Sequence, residues 1–237
     1  MPLQAIEPQR LYRQIAEQLR LLIGKGEFTA GARLPAERDL ARQLGVSRPT
    51  VREALIALEV QDWVEVRVGS GVYVLDRASR QAANEPITGT EAGAEWGPLE
   101  LIRARRVVEG ETAAIAAQLA KRKDIKAIEQ SIEAMTTEAA AGNVPQDGDR
   151  AFHTAIAQTG GNSVLTETVQ NFYDARRGPI FKRLGGHFEN AKSWKVAINE
   201  HGAILDAIRT HDPEAARAAM HRHLDNSHKR FSASWKR

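Results

Sequence analysis

The sequence predicts a mainly α protein: an N-terminal winged helix-turn-helix domain followed by a C-terminal all-α helical bundle. Three observations lead there. Residues 33–74 hold two short helical segments that meet at a tight turn and run into an alternating hairpin. Residues 78–98 have neither helical nor strand period, and every segment after 99 spaces its apolar residues as helices do. The expected domains are 1–77 and 99–237, joined by a linker at 78–98, and 237 residues are enough for both to bury a core.

The elements follow in order. Residues 8–24 place Leu11, Ile15, Leu19 and Leu22 at helical spacing, and a flexible connection runs from Gly24 to Gly31. Gly45 ends the first helix of the motif, where a residue free to adopt positive φ is wanted. Ser47 caps the next helix, and Pro49 is tolerated in its first turn because the amide it lacks would have had no helical partner. Val51, Leu55 and Leu58 face a core, which leaves Arg48, Thr50 and Arg52 in an exposed N-terminal turn. A recognition helix reads DNA from that turn.

Next, Val64, Val66 and Val68 alternate against Glu65 and Arg67, and Gly69-Ser70-Gly71 turns the chain into Val72-Tyr73-Val74. This hairpin is a wing, whose glycines let the backbone approach a phosphate or the minor groove. Beyond the linker the expected helices are 99–121, 124–141 and 147–159, a longer one carrying Leu165 to Leu184 and ended by Gly185-Gly186, then 192–210 and 213–231. Asp212-Pro213 starts the last of them as a cap followed by proline. The result is a bundle of six or seven helices.

Composition excludes several classes. There is no cysteine, so neither a disulfide framework nor a thiolate metal site can form. The sequence shows no signal peptide and no membrane-spanning run, and a soluble cytoplasmic protein with no membrane partner is expected. The net charge of +3 says little about nucleic acid, because residues 1–76 hold ten basic and ten acidic side chains. The positions of the arginines carry the argument instead.

Four residues of the bundle form a candidate metal site. Asp149 and His153 are one helical turn apart, His201 lies on the stripe of Ile198, Ile204, Leu205 and Ile208, and His223 lies between Met220, Leu224 and Ser227. Each imidazole buried alone would need its own hydrogen bond, whereas one divalent cation satisfies all four groups. A single histidine in a helix is more often a core or surface group, and His187, His211, His221 and His228 are assigned no role.

Residues 8–75 resemble the winged-helix domain of the GntR family of bacterial transcription regulators, through Leu34-Pro-Ala-Glu-Arg-Asp-Leu-Ala, Gly45-Val-Ser-Arg-Pro-Thr-Val-Arg-Glu-Ala-Leu and Gly69-Ser-Gly-Val. The resemblance implies that Arg38, Arg48 and Arg52 contact bases or phosphates, Thr50 a phosphate, and Ser70 with Gly71 the minor groove. It departs at the wing tip, where the family often carries arginine or histidine in place of Ser70. Residues 99–231 resemble the FCD effector domain of the FadR-like branch, through Arg105-Arg-Val-Val-Glu-Gly-Glu, Asp149-Arg-Ala-Phe-His, Glu200-His-Gly-Ala-Ile and Ala219-Met-His-Arg-His-Leu.

That resemblance implies a homodimer, a double-stranded DNA operator and a small carboxylate effector. It makes Asp149, His153, His201 and His223 ligands to zinc, nickel or manganese, and Arg105 the partner of the effector carboxylate. The segment from Asn171 to Leu184, with Trp194-Lys195, is similar to hexuronate-operon repressors, which implies a sugar acid reached by Asn162, Arg176 and Arg177. A solvated face is the other reading of the two arginines. Two alternatives to the ligand-responsive repressor stand beside it: a metal-dependent hydrolase with an attached DNA-binding domain, and a regulator whose metal is purely structural.

Overall fold

The computed structural model describes residues 10–76 and 96–232, and these fall into two units that divide after Leu99. Most of the expected linker at 78–98 lies outside the described residues. In the first unit, α1 (Leu11–Gly24) buries Tyr12, Ile15, Ala16, Leu19 and Ile23. This stripe is rotated from the expected one: Leu11 is 51% exposed, and positions 12, 15, 19 and 23 keep the helical period as well as 11, 15, 19 and 22 do. Helix α2 (Glu37–Leu44) ends at Gly45 with φ of 66°, the left-handed conformation expected there. Helix α3 (Arg48–Val60) starts at Ser47, whose Oγ accepts the Thr50 N–H at 3.3 Å.

The wing is the antiparallel pair β1 (Val64–Arg67) and β2 (Gly71–Val74), with Val64 opposite Val74 and Arg67 opposite Gly71. Val64, Val66, Val72 and Val74 point inward, while Val68 belongs to the turn and is 55% exposed rather than continuing the alternation. Glu59, buried near the end of α3, accepts the Val66 N–H at 2.9 Å and so fixes the wing to the recognition helix.

Arg52 is not in the exposed turn where the sequence put it. It is 1% exposed, and two of its guanidinium N–H groups donate to the two oxygens of Glu37 at 2.7 Å each. The planar fork matches a carboxylate. Because Glu37 opens α2, the pair ties the two helices of the motif together, and the exposed turn is left to Arg48 and Thr50.

In the second unit the helices are α4 (Pro98–Leu119), α5 (Arg122–Ala140), α6 (Gln146–Thr159), α7 (Ser163–Ala175), α8 (Pro179–Phe188), α9 (Ala191–Arg209) and α10 (Pro213–Ser232). The long helix expected over 165–184 is two helices. It breaks at 176–178, where Gly178 precedes Pro179, and the residue before a proline is disfavoured in the helical region. Gly185-Gly186 does not end the second of them. Ile180, Phe181 and Leu184 are buried and hold α8 through the glycines, each of which costs only about 1 kcal/mol in a helix. Helix α5 packs on α6 and α9, α9 on α10, and α6 on α7. At Gly148 a Cβ would stand 2.6 Å from Met135 Cγ and 2.8 Å from its backbone N, so only glycine lets α6 lie this close to α5. No helix among the described residues is long and apolar enough to cross a membrane.

The Arg52–Glu37 pair yields a stability prediction. Glu37→Ala removes the carboxylate that pairs bidentately with a buried guanidinium and should cost about 3 kcal/mol in urea denaturation. Asp39→Ala removes only contacts to Arg38 and Arg42, whose side chains are 78% and 75% exposed, and should be close to neutral. Equal losses would contradict the assignment.

Candidate metal centre and nucleic-acid interface

Helices α6, α9 and α10 bring Asp149, His153, His201 and His223 together, all four buried, with one donor atom of each within 4.8 Å of the others. Asp149 directly follows Gly148, so the close approach of α5 and α6 sets its depth. His201 Nε2 lies 3.3 Å from the Nε2 atoms of both His153 and His223. Asp149 Oδ1 lies 3.4 Å from His201 Nε2 and 3.6 Å from His153 Nε2. Donors bound at about 2.0–2.1 Å in a tetrahedron stand about 3.3 Å apart. The group therefore has the donor type and spacing to hold a divalent metal.

The outer ring nitrogens add to the fit. His223 Nδ1 meets Glu200 Oε2 at 2.9 Å, and Glu200 also accepts from Asn226 at 2.9 Å. His153 Nδ1 lies 2.5 Å from Glu109 Oε2 on α4. Carboxylates on the far side of ligating imidazoles fix ring orientation and tautomer. His201 Nδ1 is buried without a hydrogen-bond partner, so this ring is held by packing, including a 4.5 Å centroid contact with Phe152.

Charge is balanced by the surrounding arginines. Burial works against the charge of Asp149, but Arg176, at 2.5 Å from Oδ2, outweighs it and holds the carboxyl well below its usual range. Burial likewise opposes the charge of Glu109, and Arg105 with His153 pulls its pKa down to about 2. Arg105 donates to Glu109 at 2.6 Å and to the Tyr173 hydroxyl, and its guanidinium sits 4.4 Å from the Tyr173 ring centroid. Burial pushes His201 and His223 well below the usual histidine pKa, each helped by a neighbouring imidazole. Burial opposes protonation of His153 as well, but Glu109 and Asp149 raise it overall.

A cavity of about 20 Å³ lies against the metal group, lined by Arg105, Asp149, Arg176, Glu189, Trp194 and Arg230 among others. Of the four residues implied as effector contacts, Arg105 and Arg176 are here. Arg177 is not: in the turn after α7 its side chain is 61% exposed and pairs with Asp147 at 3.2 Å. Asn162 is not here either. It caps α7, its side-chain oxygen accepting from Val164 N at 3.0 Å and Leu165 N at 3.2 Å. Asparagine ahead of an apolar run is itself a cap signal, so this role was readable. Sequence reasoning missed Glu109, Tyr173, Glu189 and Trp194; Arg105 and Glu109 at i and i+4 were the one local hint.

In the first unit a groove is lined by Arg33, Glu37, Arg38, Arg48, Ser70 and Gly71, together with neighbouring backbone. Arg48 is 49% exposed along its side chain and lies 3.7 Å from Glu37. Thr50 Oγ1 is 2.7 Å from Ser47 Oγ at the start of α3. Ser70 Oγ is 2.8 Å from the Tyr73 hydroxyl. Gly71 has φ of 131°, and a Cβ there would stand 2.5 Å from Arg33 Nε. Arg33 thus lies across the wing, a basic group at the place where the sequence reading noted only Ser70.

Comparison with known proteins agrees with this division. Residues 11–74 match the family described as bacterial regulatory proteins, gntR family, and residues 100–226 match the FCD domain. The chain is 38% identical to the Uxu operon transcriptional regulator of Escherichia coli K12, over 96% of this chain and 89% of that one. It is 36% identical to the Exu regulon transcriptional regulator of the same strain, over 93% and 84%. The fold is shared with the solved structure of Lar from Listeria monocytogenes, at 16% identity and a TM-score of 0.52, over 95% of this chain and 98% of that one.

The histidine shifts set a pH dependence. A group whose folded pKa is depressed takes up its proton more readily in the unfolded chain, so stability falls as pH drops below about 6.5. His201 and His223 act in this direction, as do His221 and His228, while the raised His153 and Glu189 oppose them. In chelator, the melting temperature should be lower at pH 5.5 than at pH 7.5 by circular dichroism. An unchanged or higher value at pH 5.5 would contradict the burial of two neutral imidazoles.

Proposed function

The chain belongs to the GntR family of bacterial regulatory proteins and carries an FCD domain, and on that premise we propose that it is a cytoplasmic, homodimeric repressor released from its operator by a sugar acid. The observation that carries the reading is the meeting of two guanidiniums, Arg105 and Arg176, with a buried Asp/His₃ group on one cavity. An acidic ligand needs both kinds of partner: a planar fork for a carboxylate and an open coordination position for a second oxygen. The likeness of residues 171–184 to hexuronate-operon repressors supports a sugar acid, as does similarity to the Uxu and Exu regulators.

Asp149, His153, His201 and His223 would hold the metal, which would supply Lewis acidity toward a ligand oxygen. Three nitrogens and one oxygen suit zinc, nickel or manganese, and a coordination number above four would leave room for a ligand oxygen. Arg105, braced by Glu109 and Tyr173, and Arg176, braced by Asp149, supply positive charge at fixed positions. On the DNA side, Arg33, Arg38, Arg48 and Thr50 are the proposed contacts, with the wing backbone at Ser70 and Gly71 beside the minor groove. Arg52 acts through Glu37, positioning the helix that carries them.

A purely structural metal is favoured by one observation, the small volume of the cavity. Hydrolysis is disfavoured by another. Glu200, the carboxylate that made an enzyme conceivable, is held on His223 Nδ1, the side of the ring away from the converging Nε2 atoms. It cannot serve a water bound among them.

Two measurements test the reading. With a DNA site selected by the protein from a random library, Arg48→Ala should weaken binding about tenfold or more in fluorescence anisotropy and lower its salt dependence, while Arg42→Ala changes it little. Equal, small effects would remove the recognition-helix assignment. In a thermal-shift panel of hexuronates, aldarates, lactate and citrate, a sugar acid should raise the melting temperature only in metal-loaded protein. Stability lost on chelation with no response to any acid would establish the structural-metal reading instead.

A further inference from the structure

The cavity at the metal group and the ligand proposed for it differ in size. About 20 Å³ holds roughly one water, and a six-carbon acid needs many times that. A second, larger space adjoins it. A cleft of about 630 Å³ between the C-terminal end of α5 and α9 is lined by Ala139, Val144, Asn190, Ile198 and others, and the residues common to its lining and that of the metal cavity are Glu189 and Trp194. The two side chains form a partition, with the metal group and guanidiniums on one side and an open, mostly apolar cleft on the other.

Both halves of the partition are unsettled as they stand. Trp194 is 7% exposed, and its buried Nε1–H, which no acceptor meets at good hydrogen-bond geometry, has the Glu189 carboxylate as its neighbour. Glu189 is an acid beside the cavity meant for an acid. Burial pushes its carboxyl up with help from Asp149, and Arg176, Arg230 and the Trp194 indole N–H only partly oppose this. It stands at the junction of α8 and α9, with its carboxylate above Gly185, where a Cβ would be 3.0 Å from Oε2. The position between two helices gives it freedom to swing without moving either.

We propose that Glu189 and Trp194 form the gate of the effector site: the acid arrives through the α5–α9 cleft, displaces the Glu189 side chain from beside Arg176, and takes a hydrogen bond from the Trp194 indole N–H. The opened space joins cavity and cleft, which resolves the size mismatch, and the ligand carboxylate replaces Glu189 as the neighbour of the indole N–H. The apolar indole face and the cleft wall then select a ligand with a carbon skeleton behind its carboxylate, over a small inorganic anion.

This rests on the sugar-acid reading above, and the experiment keeps the two apart. Full-length, zinc-loaded protein is titrated with D-glucuronate by isothermal titration calorimetry, alongside Glu189→Gln and Trp194→Phe, each checked for melting temperature and zinc content. Glu189→Gln keeps the shape of the side chain and removes its charge, and should tighten binding by about tenfold, equivalent to about 1.4 kcal/mol. Trp194→Phe keeps an aromatic wall and loses the donor, and should weaken binding by about three- to tenfold. Wild-type affinity in both variants, or weaker binding by Glu189→Gln, would overturn the gate while leaving the sugar-acid reading intact. Absence of binding by all three proteins would overturn both.

Discussion

Burying a carboxylate and three imidazoles in one place constrains everything around them. An unpaired buried charge costs several kcal/mol, and paired ones repay that only with good geometry and further hydrogen bonds. The second unit meets the demand with alternating signs: Arg176 on Asp149, Glu109 on His153, Arg105 on Glu109, Glu200 on His223. Three of these pairs join different helical segments, and the fourth, Arg105 with Glu109, is one turn apart on α4. Five helices are thereby held in register by one polar network, and the small residues at their contacts, such as Gly148 and the buried alanines 113, 114, 116 and 117 of α4, let them approach closely enough to do it.

The same network explains how sensing and stability coexist. A divalent ion would replace the tautomer conflict between His201 Nε2 and the Nε2 atoms of His153 and His223, each 3.3 Å away, with a common bond. The two arginines are neutralised by the protein's own carboxylates on one edge and face the cavity on the other. They therefore carry charge into the site without requiring a ligand for the fold to survive. In the first unit an analogous division holds: Arg52 and Glu37 are used up in joining α2 to α3, which frees Arg33, Arg38 and Arg48 to face the groove.

What the sequence revealed and concealed follows from the range of each interaction. The cap at Ser47, the left-handed Gly45 and the hairpin are set by neighbours within a few residues, and they were legible. So were Asp149 with His153, one turn apart, and the inward stripes bearing His201 and His223. Arg52 was misplaced because its partner lies fifteen residues earlier on another helix, and no local pattern shows that meeting. Arg176 and Arg177 looked equivalent in sequence, yet in the turn after α7 Arg176 meets Asp149 while Arg177 meets the exposed Asp147. Glu109, Tyr173, Glu189 and Trp194 come from α4, α7, the α8–α9 junction and α9, so only the packed bundle brings the last two to the cavity and the first two to Arg105 behind it.

The most direct test of the metal-anchored account is metal content per chain, measured by inductively coupled plasma mass spectrometry after zinc loading and dialysis. The account predicts about one ion per wild-type chain and its loss in His201→Ala, with the winged unit still binding the selected DNA site in that variant. A wild-type chain that retains no metal, or a His201→Ala chain that retains as much, would contradict it.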